Sequence, residues 1–489
     1  MFSCMTYNIL AQKYASGGWH SYCAPQHLAW EWRKALLLEE IAAYSSDIVC
    51  LQEVEAGVFA SELQPWMAER GYEGHYLSRQ SGPNVQGPPE GVALFYRTAV
   101  FEALQVRTFA FSAVPTDPAP PLPPALCSDG DDAAVPSALS AAVAAASAAA
   151  TRGAGRGAAS DVEGEGEGEG EGDGELSGGA STSGDEEGDG EAEAEAEQQR
   201  RRRAANAAAS PSSAGATALA PALSGRASRK RGRGRSSAAA AGGFGVAERA
   251  PNAFWPTFLR RQEGAILALL RHRGTGRQLV AACTHLFWNP SFPDVKAFQA
   301  SVLCRELAAF VRQHCGQEGA EGRVPVVLAG DFNSLSCKML PDVFDPRIPR
   351  GGEGGLVSGV YTLLTRGTLP PEHPDHPATR RRPGEAGLPE FRGRPLTSSG
   401  LRLASSYCLA HGRDPALTTR TNTFAGTLDY IFITPQNLHV RHTLELPYDD
   451  DSSQSRPVRD PLADVAFPPI PNEAFPSDHL SLAAVLKFK

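Results

Sequence analysis

The chain has 489 residues, a formal net charge of −9 at pH 7 and nine cysteines. Residues 115–250 are almost entirely Ala, Gly, Ser, Pro, Glu and Arg, a composition that buries too little apolar surface to offset the entropy of ordering a chain. That stretch holds 21 of the 55 acidic and 13 of the 46 basic side chains, so the remainder carries 34 acids and 33 bases and lacks the basic excess of a nonspecific duplex-binding protein.

The first apolar run, 2–10, reads as a strand ending in Tyr7-Asn8-Ile9-Leu10. It has neither the basic start nor the long apolar core of a signal peptide. A helix is predicted over 30–44 with Trp32, Leu36, Ile41 and Tyr44 on its apolar face. DIVCLQEVE at 47–55 predicts a strand, and 58–69 a helix with Phe59, Leu63 and Trp66 inward. Residues 91–97 and 100–111 predict two strands paired with each other. Beyond the low-complexity segment, 264–273 and 278–288 predict strands, and 294–313 an amphipathic helix through Val295, Phe298, Val302, Leu307 and Phe310. VPVVLAGDFN at 324–333 predicts a buried strand, the Pro/Gly-rich 345–400 a loop, and 428–434 and 479–488 further strands. Strands dominate, helices lie between some of them, and no GxGxxG or P-loop is present. The pattern predicts two sheets packed face to face with outer helices.

The expected organisation is one domain in two pieces, 1–114 and 251–489, separated by the insertion 115–250. Within the insertion, 161–197 alternates Glu with Gly or Ala, and 200–203 and 226–235 are basic. A solvated spacer is the favoured reading, with a nuclear-localisation or RNA-tethering role for RKRGRGR at 229–235 as the sharper one. The cysteines form no CxxC pair; Cys50 and Cys283 sit in apolar runs as small hydrophobes, which fits a reducing compartment. No apolar run is long enough to span a membrane.

The chemistry lies where apolar runs end in polar residues. Asn8 closes the first strand, Glu53 the second and His285 a third. Asp331 and Asn333 lie in GDFNS, Asp429 opens LDYIF, and Ser477-Asp478-His479 precedes the last strand. Loops at strand ends are where a rigid scaffold presents functional groups. Each of these alone is compatible with a turn former or cap. Together, carboxylates, amides and two His without a catalytic Ser or Cys motif suit a hard, oxygen-liganded cation such as Mg²⁺ rather than zinc, and hence phosphate-ester hydrolysis.

The ordered set YNIL, LQEVE, GVALFY, THLFWNPSFPDVK, GDFNS, LDYIF and PSDHLSL resembles the endonuclease/exonuclease/phosphatase superfamily. YCAPQHLAWEWRKALLLEEI at 22–41 and THLFWNPSFPDVKAFQ at 284–299 resemble its carbon catabolite repressor protein 4 type of deadenylase, a branch related to nocturnin and Angel. The resemblance implies an α/β fold, a four-layer α/β sandwich of the DNase I-like type. It implies a Mg²⁺-dependent 3′–5′ exoribonuclease that hydrolyses poly(A) tails to 5′-AMP, with a pair of Mg²⁺ ions for which Mn²⁺ substitutes. The implied metal group is Glu53, Asn8 and Asp478. The implied catalytic group is His285, Asp331, Asn333, Asp429 and His479: Asp331 on the attacking water, Asn333 on the scissile phosphate and terminal base, His479 with Asp429 on the transition state, His285 on a nonbridging oxygen. Pro290 and Phe424 match the pair that sandwiches the terminal adenine. The implied partner is a single-stranded RNA 3′ end, with no membrane, no leucine-rich repeat for docking to a deadenylase complex, and a cytoplasmic, secondarily nuclear, setting. Two departures bear on fine substrate contacts: Cys283 and the Gln262-Glu263-Gly264 step stand where relatives carry Asn. The competing expectations are a nocturnin-like phosphatase acting on a nucleotide such as NADPH, and a noncatalytic RNA-binding protein. Retention of Glu53, Asp331, Asp429 and His479 argues against the second.

Overall fold

The computed structural model describes residues 1–79, 87–120 and 253–489, apart from 321, 343, 346, 347, 349–353, 381, 383, 384, 386, 387 and 450–457. They belong to one compact unit built from Met1–Pro123 and Val246–Lys489. The expectations placed on 121–250, including the charge blocks and RKRGRGR, lie outside the described residues.

Two six-stranded sheets form the centre. In chain order their strands are β1 (Phe2–Asn8), β2 (Ile48–Glu55), β3 (Tyr72–Arg79), β4 (Glu90–Arg97), β5 (Phe101–Ala110), β6 (Gly264–His272), β7 (Gln278–His285), β8 (Val326–Asp331), β9 (Ala404–Ser405), β10 (Asp429–Ile433), β11 (Leu438–Thr443) and β12 (Leu482–Phe488). One sheet runs β11-β12-β1-β2-β4-β3 and the other β9-β10-β8-β7-β6-β5. The sheets pack on a layer of small and branched side chains that includes Cys4, Ile48, Cys50, Leu94, Ile266, Ala281, Cys283, Val327, Ala329 and Ile431. The small residues among them let the sheets approach closely, and Cys50 and Cys283 are there as buried free thiols.

Helices cover both outer faces. α1 (Trp30–Tyr44) and the helical segment 56–68 lie over the first sheet through Leu37, Ile41, Phe59, Leu63 and Met67. The Phe254–Arg260, Pro293–His314 and Gly359–Arg366 helices lie over the second, burying Phe254, Phe298, Leu303, Leu307 and Leu363. Helix, sheet, sheet, helix is the four-layer α/β sandwich expected.

Four expectations are corrected. On α1 the buried stripe is Arg33, Leu37 and Ile41, spaced four apart, so Trp32 faces solvent. The Arg33 guanidinium is buried because it donates to the carbonyls of Ile9 and Pro476 and to Gln12 Oε1, tying three loops together. Trp66 is only half-buried, because Met67 takes the inward position. The strands over 90–97 and 101–110 do not pair with each other: β4 pairs with β2 and β3, whereas β5 pairs with β6, so the chain crosses between sheets at 98–100. The Pro/Gly-rich stretch contains a real helix, Gly359–Arg366, capped by the Ser358 side chain and ended by left-handed Gly367, the start and stop chemistry helices use.

Candidate active site

Strand direction gathers the polar ends. β1 and β2 run parallel, as do β7 and β8, so Asn8, Glu53, His285 and Asp331 all finish at the same end of the sandwich. β10 runs antiparallel to β8 and starts there, with Asp429 opposite Asp331 in register. His479 joins them through a bridge to Thr419.

Glu53 reaches the cluster by a backbone device. Its neighbours Leu51 and Val54 pack under the outer helices, and regular alternation would aim Glu53 the same way as Leu51. A bulge between Gln52 and Val54 and a φ of 58° at Glu53 turn it inward instead. A left-handed conformation at a residue with a Cβ is strained and persists where the surroundings over-determine it. Asn333 has a similar φ of 48°. Its amide donates to Asp331 Oδ1 at 2.7 Å and its Nδ2 to the Leu286 carbonyl at 3.0 Å.

Hydrogen bonds knit the group. Asn8 Nδ2 donates to Glu53 Oε1 at 3.2 Å and to Asp331 Oδ2 at 3.1 Å, while the Ala11 amide donates to Glu53 Oε2 at 3.0 Å. His479 Nδ1 lies 2.8 Å from Asp429 Oδ2, which also accepts from Thr418 Oγ1 at 2.6 Å. His479 Nε2 and His285 Nε2 both face Asp331 Oδ2, at 3.9 and 3.4 Å. Asp478 is held by His20 Nε2 at 3.2 Å. The sequence expectations therefore converge for Asn8, Glu53, His285, Asp331, Asn333, Asp429 and His479, with Asp478 beside them. Pro290 and Phe424 lie outside this hydrogen-bonded group and are exposed, Phe424 at 40%. Phe424 also walls a cleft of about 330 Å³ between 335–342, 413–416, 423–427 and 458–462.

Burial and like charge set the protonation. Burial, then Asp478 and Glu90, push the Glu53 carboxyl up to about 7. Burial and the facing Asp429 also raise Asp331. Burial opposes a charged His479, but Asp429, with Asp331 and Asp478, outweighs it and raises this imidazole well above its usual range. His285 is driven the other way by burial and by the nearby Arg79 and His479 cations, and stays neutral. Four buried or half-buried carboxyls against one imidazolium leave a demand for positive charge.

The donor set suits a hard divalent cation. Asp331 and Asp429 offer carboxylate oxygens within 4.8 Å of each other and of the His479 ring, and Asp429 Oδ1 is buried without a hydrogen-bond partner; as an imidazolium His479 would not itself be a ligand. Glu53 is outside that trio but joined to it through Asn8.

Several contributors were missed in the sequence. His20 and Thr418 brace Asp478 and Asp429. Arg79, which helps keep His285 neutral, bridges buried Glu90 at 2.5 Å and Glu263 at 3.1 Å. Lys296 contacts the Asn333 carbonyl. A charged residue inside an apolar periodicity, as Lys296 is within 294–313, was the available signal.

The profile of the Endonuclease/Exonuclease/phosphatase family matches residues 5–479. The CCR4-Not complex 3′-5′-exoribonuclease subunit Ccr4 of Candida albicans is 20% identical over 494 residues, covering 100% of this chain and 41% of that protein. The Kluyveromyces lactis protein of the same name is 30% identical over 226 residues, covering 46% of this chain and 23% of that one. The chain thus spans less than half the length of these curated relatives. The solved structure of ANGEL2, a 2′,3′-cyclic phosphatase, in complex with adenosine-2′,3′-vanadate, superposes with a TM-score of 0.52 at 18% identity, covering 99% of this chain and 94% of that one, which establishes a shared fold. The profile match begins within β1 and ends on His479, taking in every strand of the two sheets except β12 and every residue of the cluster; on that ground the chain belongs to the endonuclease/exonuclease/phosphatase family.

Proposed function

We propose that this chain is a Mg²⁺-dependent 3′–5′ exoribonuclease that shortens poly(A) and releases 5′-AMP. The observation that carries this reading is the meeting of Asn8, Glu53, His285, Asp331, Asp429 and His479 at one end of the sandwich. The exoribonuclease names of the Ccr4 relatives support it.

Glu53, Asn8 and Asp478 would hold the metal, and the Asp331 and Asp429 carboxylates beside them could serve a second cation. Mg²⁺ there would neutralise charge building on the phosphate, and Mn²⁺ is the expected substitute. Asp331, steadied by Asn8, orients the attacking water and takes its proton; its raised pKa suits a base working near neutrality. The His479 imidazolium, held by Asp429, stabilises the charge that develops at phosphorus. Neutral His285 donates to a nonbridging oxygen. Asn333 contacts the scissile phosphate and the base edge, and Pro290 and Phe424 flank the terminal adenine. The catalytic domain is 1–114 with 251–489, interrupted by a spacer at 115–250. The compartment is the cytoplasm, with the nucleus second.

A second reading is a phosphatase or phosphodiesterase acting on a nucleotide such as NADPH, favoured by the cleft that Phe424 walls, which is of small-molecule size. Incubating the full chain with Mg²⁺ and either 5′-labelled oligo(A) or NADPH separates the two. A one-nucleotide ladder with 5′-AMP supports the exoribonuclease. Phosphate release from NADPH without a ladder transfers the assignment to the nucleotide enzyme, and inertness on both refutes hydrolysis of either substrate.

A further inference from the structure

Lys296 is a buried cation without a counter-ion. It sits in the first turn of the Pro293–His314 helix and is 4% exposed. Its Nζ donates to the Asn333 carbonyl at 2.6 Å. Among the described residues no carboxylate forms an ion pair with it; Asp375 and Asp331 act on it only from further away. Arg33 is fully buried and among the described residues also lacks a carboxylate, but its donors are committed to the Leu28, Ile9 and Pro476 carbonyls and Gln12 Oε1; two half-buried arginines have carboxylates. Arg79 bridges Glu90 and Glu263, and Arg382 pairs at 3.0 Å with Asp294 at the start of the same helix. A buried, unpaired ammonium is costly, and burial pulls this one's pKa down to about 8. Even so it is cationic at neutral pH, with one of its three donors committed.

The residue it touches borders the proposed reaction. Asn333 is strained, with φ at 48°, and is held on three sides: amide to Asp331, side chain to Leu286, carbonyl to Lys296. We infer that Lys296 is a positioning residue whose missing counter-ion is the substrate: it backs Asn333 with a positive charge that makes this edge of the site a subsite for a nucleotide phosphate. The inference rests on the placement of the phosphate beside Asn333 and is independent of which nucleotide is cut.

The test compares the full-length protein with Lys296→Met and Lys296→Gln, using AMP with Mg²⁺ as the calorimetric probe and thermal unfolding alongside. Gln can still donate to the Asn333 carbonyl but carries no charge; Met can do neither. Both variants are expected to weaken AMP by about tenfold or more, the scale of a charged contact. Their Tm should hold or rise, because removing an unpaired buried charge relieves a cost. AMP affinity within about twofold of wild type in both variants would overturn the inference, and so would affinity restored by Gln, which would leave only a backbone brace. A Tm that falls in step with affinity would make Lys296 merely structural. Wild type failing to bind AMP sinks the subsite. Wild type that binds AMP through Lys296 yet leaves oligo(A) intact sinks the poly(A) assignment alone.

Discussion

Single side chains carry most of the chemistry, and two of them make separable predictions. Glu53→Gln keeps the shape and removes the charge, so folding should survive while Mg²⁺-dependent turnover drops by orders of magnitude; full activity at ordinary Mg²⁺ would remove Glu53 from the metal group. The same residue links pH to stability. A carboxyl that ordinarily titrates near 4.5 is raised to about 7, so between those values the native state holds a proton that the unfolded chain has released. Glu53 therefore contributes stability to the metal-free protein that is lost as pH rises from about 5 to 7. Differential scanning fluorimetry in chelator should show that slope, shallower in Glu53→Gln and offset by Mg²⁺. Phe424 belongs to a different test. Stacking on an aromatic platform is worth about 1–3 kcal/mol per base, so Phe424→Ala should weaken cleavage of oligo(A) and narrow its advantage over oligo(U). Hydrolysis of a small chromogenic phosphodiester, which has no base, should be largely unchanged; an unaltered A-over-U ratio would place the adenine elsewhere. At this scale Asp331, Asp429 and His479 were legible because each stands at the end of an apolar run. Arg79 and Thr418 were not, because nothing local distinguishes a residue that braces a buried carboxylate of the cluster across 11 positions, as Thr418 does for Asp429, from an ordinary strand or turn residue.

The elements add constraints that no single side chain reveals. Gly330, in GDFN, has φ at 155°, and a Cβ there would meet the Thr284 carbonyl oxygen at 2.0 Å. Glycine is needed because β8 and β7 run side by side just before Asp331 and His285. Gly330→Ala should cost about 1–3 kcal/mol as overpacking and spread the two strand ends. Urea unfolding should record the loss, and turnover should fall with it; a variant as stable as wild type would show that the strands can part at no cost. Most strands were readable from period and β-branching. What failed was pairing: β4 and β5 are adjacent in sequence, and proximity predicts a hairpin, yet the three-residue link at 98–100 hands the chain to the other sheet. The Gly359–Arg366 helix was masked by its surroundings, since Pro and Gly on both sides outweighed eight residues of helical pattern.

For the whole molecule, the two segments that make the unit, Met1–Pro123 and Val246–Lys489, each bring part of the cluster. Replacing 124–245 with a Gly/Ser linker should leave turnover of a short oligo(A) nearly unchanged, because closing a longer or shorter surface loop changes the entropy only slowly. The cut is placed after the described residues at 115–120, because the Pro115 carbonyl accepts from Arg305 and Asp117 pairs with Arg394. Loss of folding or of turnover would show that the segment contributes contacts of its own. The order of strands carries a last consequence. β1 lies between β2 and β12, so the strand at residues 2–8 waits for the one at 482–488 before its sheet is whole. On a ribosome, the emerging chain has Asn8 and Glu53 more than 370 residues before Asp429 and His479 have been translated. The proposed site is thereby incomplete on the nascent chain, and any chemistry that needs the whole cluster waits for His479 to emerge.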